Sequence, residues 1–385
     1  MIGTFCDGRL PEEGMGAAAV AAVLEDVSHS VRGARSLDFS TVASDPRVLA
    51  SQAGAIFANV RAGQDDITRA IEADLKAILL SVLRLPDGAC VLTGSGTESL
   101  ALALFATRQA RGPNAAVVIP GNAHPALYRA AGLLGMSVQP VAVTGHRADA
   151  ASIADAVTSD TEALAISAPA WGLGLEDDIQ GCAALASRAR LHCHVDACIG
   201  GFLYPFLEGG WPDAPGITSI TVDLHKFGYG PYCLSALCLT DASDVEAIRY
   251  ETSSWDGFPY VSEQVAGDRP FAPIAGTWAV MRALGQAGYR ALARLLDYRA
   301  DALRRAFRDT PIVLSSRSRA GIIGLYPQDG DVTALSARLL REGISSIPCL
   351  RPGFVRLRVD PLEGEADFAR RLDACARAAS RTSAA

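Results

Sequence analysis

Lysine is scarce in this chain, and one of its two lysines lies where covalent chemistry is plausible. The 385 residues include 33 arginines but only Lys76 and Lys226. Arginine stays protonated in proteins, whereas a lysine amine can lose its proton and attack a carbonyl. We therefore predict that Lys226, in the segment Asp223–Pro231, is a Schiff-base nucleophile, with codon bias and chance as the simpler explanation. For Lys76, beside Asp74 in a helical pattern, a solvated lysine is the ordinary interpretation.

Two further groups would suit the same chemistry. Asp196 ends the apolar run Leu191–Asp196, where a carboxylate could keep a pyridine nitrogen protonated or merely cap the next turn. The segment Thr93–Ser99 joins a predicted strand to a predicted helix, and its glycines, hydroxyls and free amides would bind a phosphate well. It lacks the third glycine of a dinucleotide loop and the Gly-Lys-Ser/Thr of a nucleotide P-loop. Together with His225, which could bind a phosphate, these groups favour pyridoxal 5'-phosphate.

A mostly parallel sheet would bring these groups together. Residues 88–240 alternate short apolar runs with longer amphipathic ones, which predicts such a sheet with helices on both faces. Ligands bind beyond the carboxyl ends of its strands. The seven predicted strands are Ala89–Thr93, Ala115–Pro120, Ser137–Val143, Glu162–Ala168, Leu191–Asp196, Ile217–Val222 and Ser235–Thr240. The predicted helices between them are Thr97–Arg111, Pro125–Leu134, Ala150–Thr158 and Asp178–Arg190.

The flanking segments predict three parts of the chain. They are an N-terminal helical segment at 1–54, a large cofactor-binding domain at 55–308 that includes a connecting helix, and a small α+β C-terminal domain at 309–385. The helix Asp65–Leu85 opens the large domain and Pro273–Arg308 closes it. The elements predicted for the small domain are Gly321–Tyr326, Asp331–Glu342, Phe354–Val359 and Glu363–Arg377.

Composition excludes several classes of partner. The net charge of −7 and the lack of a basic cluster argue against nucleic acid and anionic membranes. The apolar run Ala17–Leu24 is too short to span a bilayer, and no secretory signal is evident. Nine scattered cysteines favour reduced thiols in the cytoplasm. His192 and His194 flank Cys193 on a predicted strand, where alternate residues point to opposite faces, so we expect no metal.

Five segments in order resemble the fold-type-I, pyridoxal-phosphate-dependent group II decarboxylases, and in particular their sphingosine-1-phosphate lyase-like branch. The resemblance runs from about residue 55 to residue 360. Its anchors are Thr93–Ser99, Asn122–Ala126, His194–Phe202, Asp223–Pro231, and Gly267–Pro270 with Ile274–Ala279.

The resemblance implies a cofactor site and a small-molecule substrate. Lys226 would carry the cofactor as a Schiff base, Asp196 would pair with its ring nitrogen, and His124 would stack on the ring and relay protons. It also implies a homodimer with active sites at the interface, where Gly267–Pro270 would reach the partner's cofactor. The other expected cofactor contacts are Ser95, Gly96, Thr97, Cys198, His225 and Arg269.

Two departures from the family pattern bear on the substrate. Relatives in the lyase branch often carry Pro-Lys-Gly after the Schiff-base lysine, but here Pro231 is followed by Tyr232 and Cys233. Tyr232 could donate a proton in catalysis, but a neutral phenol replaces a cation poorly. The later segment reads Gly267-Asp268-Arg269-Pro270-Phe271, with an added acid and ring. A small, soluble, unphosphorylated substrate is therefore expected, in a pocket that Trp171 and Tyr229 would line unless they only pack in the core.

Three functions follow from this pattern. The first is a carbon–carbon lyase that cleaves an amino acid or hydroxy amino acid by a retro-aldol-type reaction, which the region from Trp255 to Trp278 favours. The second is an amino-acid decarboxylase, since the same electron sink serves both reactions. The third is a non-catalytic binding or regulatory protein, against which the presence of Lys226, Asp196 and His124 argues.

Overall fold

The computed structural model describes residues 6–31, 45–254, 256–257 and 259–380, so Trp255 lies outside the described residues. They form two compact units. Unit 1 spans residues up to 168 and 177–289, and unit 2 comprises 169–176 with the residues from 290 onward. The division into domains at 1–54, 55–308 and 309–385 stays a prediction.

Among the described residues before the sheet of unit 1, three form helices: α1 (Ala17–Ser28), α2 (Pro46–Ile56) and α3 (Asp66–Val82). Asp65 caps α3 in a capping box with Thr68. Its apolar face, spaced as the sequence predicts, is buried. Lys76 on α3 is less solvated than expected, because its Nζ lies 3.1 Å from Oε1 of buried Glu72.

The large sheet has the predicted seven strands and confirms the predicted fold class. Its order is β1-β7-β6-β5-β4-β2-β3, and only the pairs that involve β7 are antiparallel. The carboxyl ends of the other six strands therefore share one edge. The strands are β1 (Ala89–Thr93), β2 (Ala116–Pro120), β3 (Ser137–Val141), β4 (Thr161–Ser167), β5 (His192–Asp196), β6 (Ser219–Asp223) and β7 (Ser235–Leu239).

Helices connect these strands, and most of the central strand residues are fully buried, as a sheet covered on both faces requires. The connecting helices are α4 (Gly96–Arg111), α5 (Pro125–Leu134), α6 (Ala150–Ala156) and α7 (Ile179–Ala189). A two-stranded hairpin, which the sequence did not predict, follows the sheet as β8 (Tyr250–Thr252) and β9 (Tyr260–Ser262).

The long helix α8 (Ala272–Ala306) is interrupted at Gly285. Gly285 has φ of 57°, and a Cβ there would lie 2.6 Å from the backbone nitrogen of Gly14. Only glycine meets both demands, because its backbone reaches this conformation without strain and it has no Cβ to clash. The predicted single helix over 273–308 is thus two helical segments joined end to end.

Unit 2 contains a four-stranded antiparallel sheet in the order β10-β11-β13-β12, as expected of a small α+β part. Its short outer strands β10 and β12 escaped prediction, since three residues give too little pattern. Trp171 belongs to this unit, where the guanidinium of Arg356 lies 4.6 Å from its ring centre. The elements are β10 (Ile312–Leu314), β11 (Ile322–Pro327), α9 (Val332–Arg341), β12 (Ile347–Cys349), β13 (Phe354–Arg358) and α10 (Glu365–Ser380).

Candidate active site

The glycine loop after β1 forms the start of α4. Ser95 caps the helix, and its Oγ accepts a hydrogen bond from the Glu98 N–H at 3.2 Å. Gly96 and Thr97 are its first two residues, so their N–H groups have no acceptor within the helix. These N–H groups and the positive end of the helix dipole can bind an anion. The Ser95 hydroxyl, in contrast, is already used as the cap.

Lys226 follows β6 and faces a carboxylate for which we predicted no role. Its Nζ lies 2.8 Å from Oδ2 of Asp223, the last residue of β6. Burial lowers the pKa of the Lys226 amine, whereas the Asp223 carboxylate raises it through its charge and its hydrogen bond, and the pKa lies above its ordinary value. A carboxylate three residues before Lys226, directly after the predicted strand Ile217–Val222, was the available signal for Asp223.

The backbone of Gly96, at the start of α4, lies close to side chains from β6 and from the turn after β5. A Cβ on Gly96 would lie 2.6 Å from Asp223 Oδ1 and 2.7 Å from Cys198 Sγ. The start of α4, the end of β6 and the turn after β5 therefore meet at one point, and Lys226 pairs with Asp223 beside it.

Asp196 ends β5 as predicted and is buried. Its Oδ1 accepts the Cys198 N–H at 3.1 Å. Burial and the charge of Asp196 raise the pKa of the Cys198 thiol well above its ordinary value, so this thiol stays neutral. Ser167 on β4 pairs in register with Asp196, so both side chains project from the same face of the sheet.

His124 caps α5, four residues after the end of β2. Its Nδ1 accepts the Ala126 N–H at 3.2 Å, which leaves the proton of a neutral ring on Nε2. The preceding turn is fixed by Asn122, whose Nδ2 donates to Asp177 at 2.7 Å. Asp177 also accepts the backbone N–H of Ser167 at 2.8 Å. Sequence reasoning missed Asp177 because it lies ten residues beyond the end of β4.

His225, Tyr232 and Arg269 complete the predicted set, and each has contacts of its own. His225 Nδ1 donates to the Leu234 carbonyl at 3.2 Å, and its Nε2 lies 3.7 Å from Asp223 Oδ2. The exposed Tyr232 ring stacks on His225 with ring centres 4.9 Å apart. Arg269 instead binds Glu72 of α3, with Nη2 2.8 Å from Oε1. Arg269 therefore has an ion-pair partner within its own chain.

Tyr229, considered as a pocket residue, and His192 and His194, considered as metal ligands, make contacts outside the Lys226 site. Tyr229 is buried and stacks on Tyr289 with centres 6.1 Å apart, which is core packing. His192 and His194 on β5 bind hydroxyl groups of Thr107 and of β6. Within the described part of the chain, His, Cys, Asp and Glu side chains form no group of three that could hold a metal ion. Nor does any described helix have the length and apolar character needed to cross a bilayer.

This arrangement fits pyridoxal phosphate. A lysine amine, a buried carboxylate and a helix start with free N–H groups are the donors and acceptors that its aldehyde, ring nitrogen and phosphate require. Two buried polar atoms near the Asp196 strand end, Ser167 Oγ and Asn122 Oδ1, have no hydrogen-bond partner among the described residues. A buried polar atom without a partner is costly, so these atoms are consistent with a polar ligand or water in this cleft.

Known proteins share this sequence pattern and fold. The model of the DegT/DnrJ/EryC1/StrS aminotransferase family matches residues 84–201. A probable L-aspartate decarboxylase of Halobacterium salinarum is 31% identical over 262 residues, which cover 65% of this chain and 72% of the relative. Mouse sphingosine-1-phosphate lyase 1 is 30% identical over 292 residues, 71% of this chain. The chain spans only 51% of that lyase's length.

A solved structure matches almost the whole chain. It is the sphingosine-1-phosphate lyase of Burkholderia pseudomallei, with a TM-score of 0.81 and 27% identity. The match covers 96% of this chain and 92% of that one. The chain therefore belongs to the fold-type-I, pyridoxal-phosphate-dependent group II decarboxylase superfamily and is similar to its sphingosine-1-phosphate lyase-like branch.

Proposed function

We propose that this protein is a pyridoxal-phosphate-dependent carbon–carbon lyase that cleaves a small, soluble amino acid or hydroxy amino acid by a retro-aldol-type reaction. The observation that carries this proposal is the meeting of Lys226, Asp196 and the start of α4 at one edge of the large sheet. The likeness to a bacterial lyase over 96% of the chain supports carbon–carbon cleavage.

The reacting end of the cofactor would be held by three side chains. Bound pyridoxal phosphate supplies an electron sink for a bond that breaks at or next to the substrate α-carbon. Lys226 would hold the cofactor through Nζ, and Asp196 would keep a proton on the ring nitrogen because its carboxylate is buried beside it. His124 would cover the ring and move a proton through Nε2.

The phosphate would bind at the start of α4. The N–H groups of Gly96 and Thr97 would donate to it, and His225 would lie at its side. Ser95 would act through the helix cap, and Cys198 would pack as a neutral thiol under the site. Each of these roles is part of the proposal.

The substrate is proposed to lack a phosphate. Tyr232 stands where the lyase branch often has a lysine, and its side chain is 79% exposed, next to exposed Cys233. A neutral phenol in this position cannot offset the charge of a phosphate ester. A role of Tyr232 in proton donation would require it to be covered during the reaction.

A second copy of the chain would provide that cover. We include a homodimer in the proposal, with Gly267–Pro270 directed to the partner's site. Val265, 75% exposed, and Tyr232 are large apolar side chains that a partner surface could bury. Sedimentation of the cofactor-loaded protein tests this point, and a monomer at all concentrations would contradict it.

Decarboxylation of an amino acid is the second candidate. The observation that favours it is the 31% identity to a probable L-aspartate decarboxylase, of which the chain covers 72%. Both reactions use the same cofactor and differ in which bond of the substrate is aligned for cleavage. A non-catalytic binding protein is the third candidate, and intact Lys226, Asp196 and His124 argue against it.

The two lysines provide a matched experiment. The purified protein is mixed with pyridoxal phosphate, and its absorbance is recorded at the short-wavelength edge of the visible range. The sample is then reduced with borohydride, and the modified peptide is identified by mass mapping. We expect the band and a pyridoxyl group on Lys226, both lost in Lys226→Ala and kept in Lys76→Ala. A protein that shows neither is not a pyridoxal-phosphate enzyme. Incubation with amino acids and hydroxy amino acids then selects the reaction, since retro-aldol cleavage releases an aldehyde and decarboxylation releases carbon dioxide.

A further inference from the structure

Asp223 is a buried carboxylate that the proposed cofactor chemistry leaves without a role. It is 5% exposed and ends β6. Its Oδ1 accepts the hydroxyl of Ser235 on β7 at 2.6 Å, and its Oδ2 lies 2.8 Å from Lys226 Nζ. Both oxygens are therefore engaged, and the carboxylate is fixed against the amine that the cofactor must reach.

A carboxylate in this place is unexpected for a phosphate-binding site. It lies beside Gly96, whose absent Cβ would be 2.6 Å from Asp223 Oδ1. The positive end of α4 stabilises the charge of the carboxylate but would serve the phosphate equally well. The position of Asp223 is explained if the role of its carboxylate is to act on Lys226.

The other titratable groups around Lys226 cannot replace Asp223. Cys198 is a neutral thiol because burial raises its pKa well above the ordinary value. Asp196 acts on Lys226 through space, and its Oδ1 binds the Cys198 N–H. His225 points Nε2 at Asp223, 3.7 Å away, and is cationic if charged at all. Asp223 is thus the anion in direct contact with the amine.

This contact has a consequence for the chemistry of the amine. An ammonium group has no lone pair, so Nζ must lose a proton before it can bond to an aldehyde carbon. The lone pair then forms the carbon–nitrogen bond, the carbonyl oxygen departs as water, and no oxidant or reductant is needed. A carboxylate that stabilises the ammonium form makes that proton harder to lose.

We propose that Asp223 is a positioning residue that holds Lys226 as an ammonium in the cofactor-free site and thereby slows capture of the cofactor at neutral pH. The proposal rests on the proposed function of Lys226 as the cofactor lysine. It makes loading of the cofactor pH-dependent: capture accelerates as pH rises, because a larger fraction of Lys226 is then neutral.

Loading kinetics test the proposal. Cofactor-free protein is mixed with pyridoxal phosphate between about pH 6 and pH 9, and the rate of attachment is followed by absorbance and by borohydride trapping at Lys226. Asp223→Asn keeps the size and hydrogen-bonding capacity of the side chain but removes the charge. We expect loading of this variant at pH 7 to be several-fold faster, since a lower pKa of the amine raises its neutral fraction at that pH.

Two controls separate charge from structure. Asp223→Glu keeps the charge, and Ser235→Ala removes the second partner of Asp223 but leaves its charge in place, so both should load the cofactor at about the natural rate at pH 7. An Asp223→Asn rate that equals or falls below the natural rate at every pH overturns the proposal. If Lys226 is still labelled in that case, only the role of Asp223 is contradicted and the proposed function remains. If Lys226 is not labelled at all, both the role of Asp223 and the proposed function are contradicted.

The scarcity of lysine provides a second measurement that does not depend on a variant at Asp223. Protein labelled in lysine alone gives two side-chain signals, and Lys76→Arg assigns them. In the cofactor-free protein we expect Lys226 to titrate above the ordinary lysine value of about 10.4. A value below it would show that burial prevails over Asp223 and would overturn the proposal even if Asp223→Asn does not fold.

Discussion

Oε1 of Glu98 on α4 accepts a hydrogen bond from the backbone N–H of Val265 at 3.0 Å, across 167 residues of sequence. The same oxygen accepts the Ala266 N–H at 3.3 Å, and Oε2 accepts the Gly94 N–H at 2.8 Å. The Glu98 carboxylate therefore bridges the segment after β9 and the glycine loop by hydrogen bonds. The Gly94 amide is consequently not available to a phosphate, which leaves the amides of Gly96 and Thr97.

Removing the Glu98 carboxylate should weaken cofactor binding. In Glu98→Ala the glycine loop and the segment after β9 lose their shared acceptor. A hydrogen bond to a charged group contributes about 1.5–3 kcal/mol, so we expect the cofactor dissociation constant to rise about tenfold or more. Fluorescence titration with pyridoxal phosphate measures it. Glu246→Ala, at an exposed ion pair with Arg249, is the control. Equal affinities of both variants for pyridoxal phosphate would show that the Glu98 hydrogen bonds do not affect cofactor binding by the loop.

A methyl group at Gly96 should disrupt the site, whereas one at Gly94 should be tolerated. The added Cβ at Gly96 would lie 2.6 Å from Asp223 Oδ1 and 2.7 Å from Cys198 Sγ, but at Gly94 the nearest atom, Glu98 Oε2, is 3.4 Å away. Overpacking of this kind costs about 1–3 kcal/mol. We expect Gly96→Ala to lose most cofactor binding and Gly94→Ala to bind nearly as the natural protein does. Calorimetric titration compares them, and similar losses in both would contradict the close approach at Gly96.

The sequence predicted the sheet well because each of its strands is a continuous apolar run between turns. The end of β5 at Asp196 and the start of α4 near Thr97 were placed within a residue. The pairing of Asp223 with Lys226, and of Asp177 with Asn122, could not be predicted in this way. Such contacts depend on strand order and register, which local periodicity does not encode. The contact of Glu72, the partner of Lys76, with the distant Arg269 could not be predicted for the same reason.

Glu72 should stabilise the fold at neutral pH through its two cations. Its carboxylate lies 2.8 Å from Arg269 and 3.1 Å from Lys76. Burial opposes the charge, but Lys76 and Arg269 outweigh it and lower the pKa of Glu72. A lowered pKa adds stability above the unfolded value of about 4.3, and this stability is lost as pH falls through the folded value.

Glu72→Gln should therefore lower the unfolding free energy at pH 7 by roughly 1–3 kcal/mol, less than for a fully buried pair because Lys76 is partly exposed. The difference should shrink toward pH 3, about one unit below the unfolded value. Urea unfolding measures it. Asp66→Asn, at an exposed ion pair with Arg69, should cost about 0.5 kcal/mol or less. A loss at Glu72 that persists undiminished in acid would point to packing instead of charge.

His194 should make the fold sensitive to mild acid. Burial lowers the pKa of its ring to about 3. Its Nδ1 lies 2.8 Å from Ser219 Oγ, and its Nε2 lies 3.3 Å from Thr221 Oγ1. The unfolded chain takes up a proton below about pH 6.5 and the folded chain does not, so this residue should lower the unfolding free energy by up to about 1.4 kcal/mol per pH unit in that range. Urea unfolding of His194→Asn should show a weaker dependence of the unfolding free energy on acid pH than the natural protein. The control His29→Asn, at an exposed position, should leave this dependence unchanged. An equal dependence on pH in all three proteins would mean that His194 is protonated in the folded state.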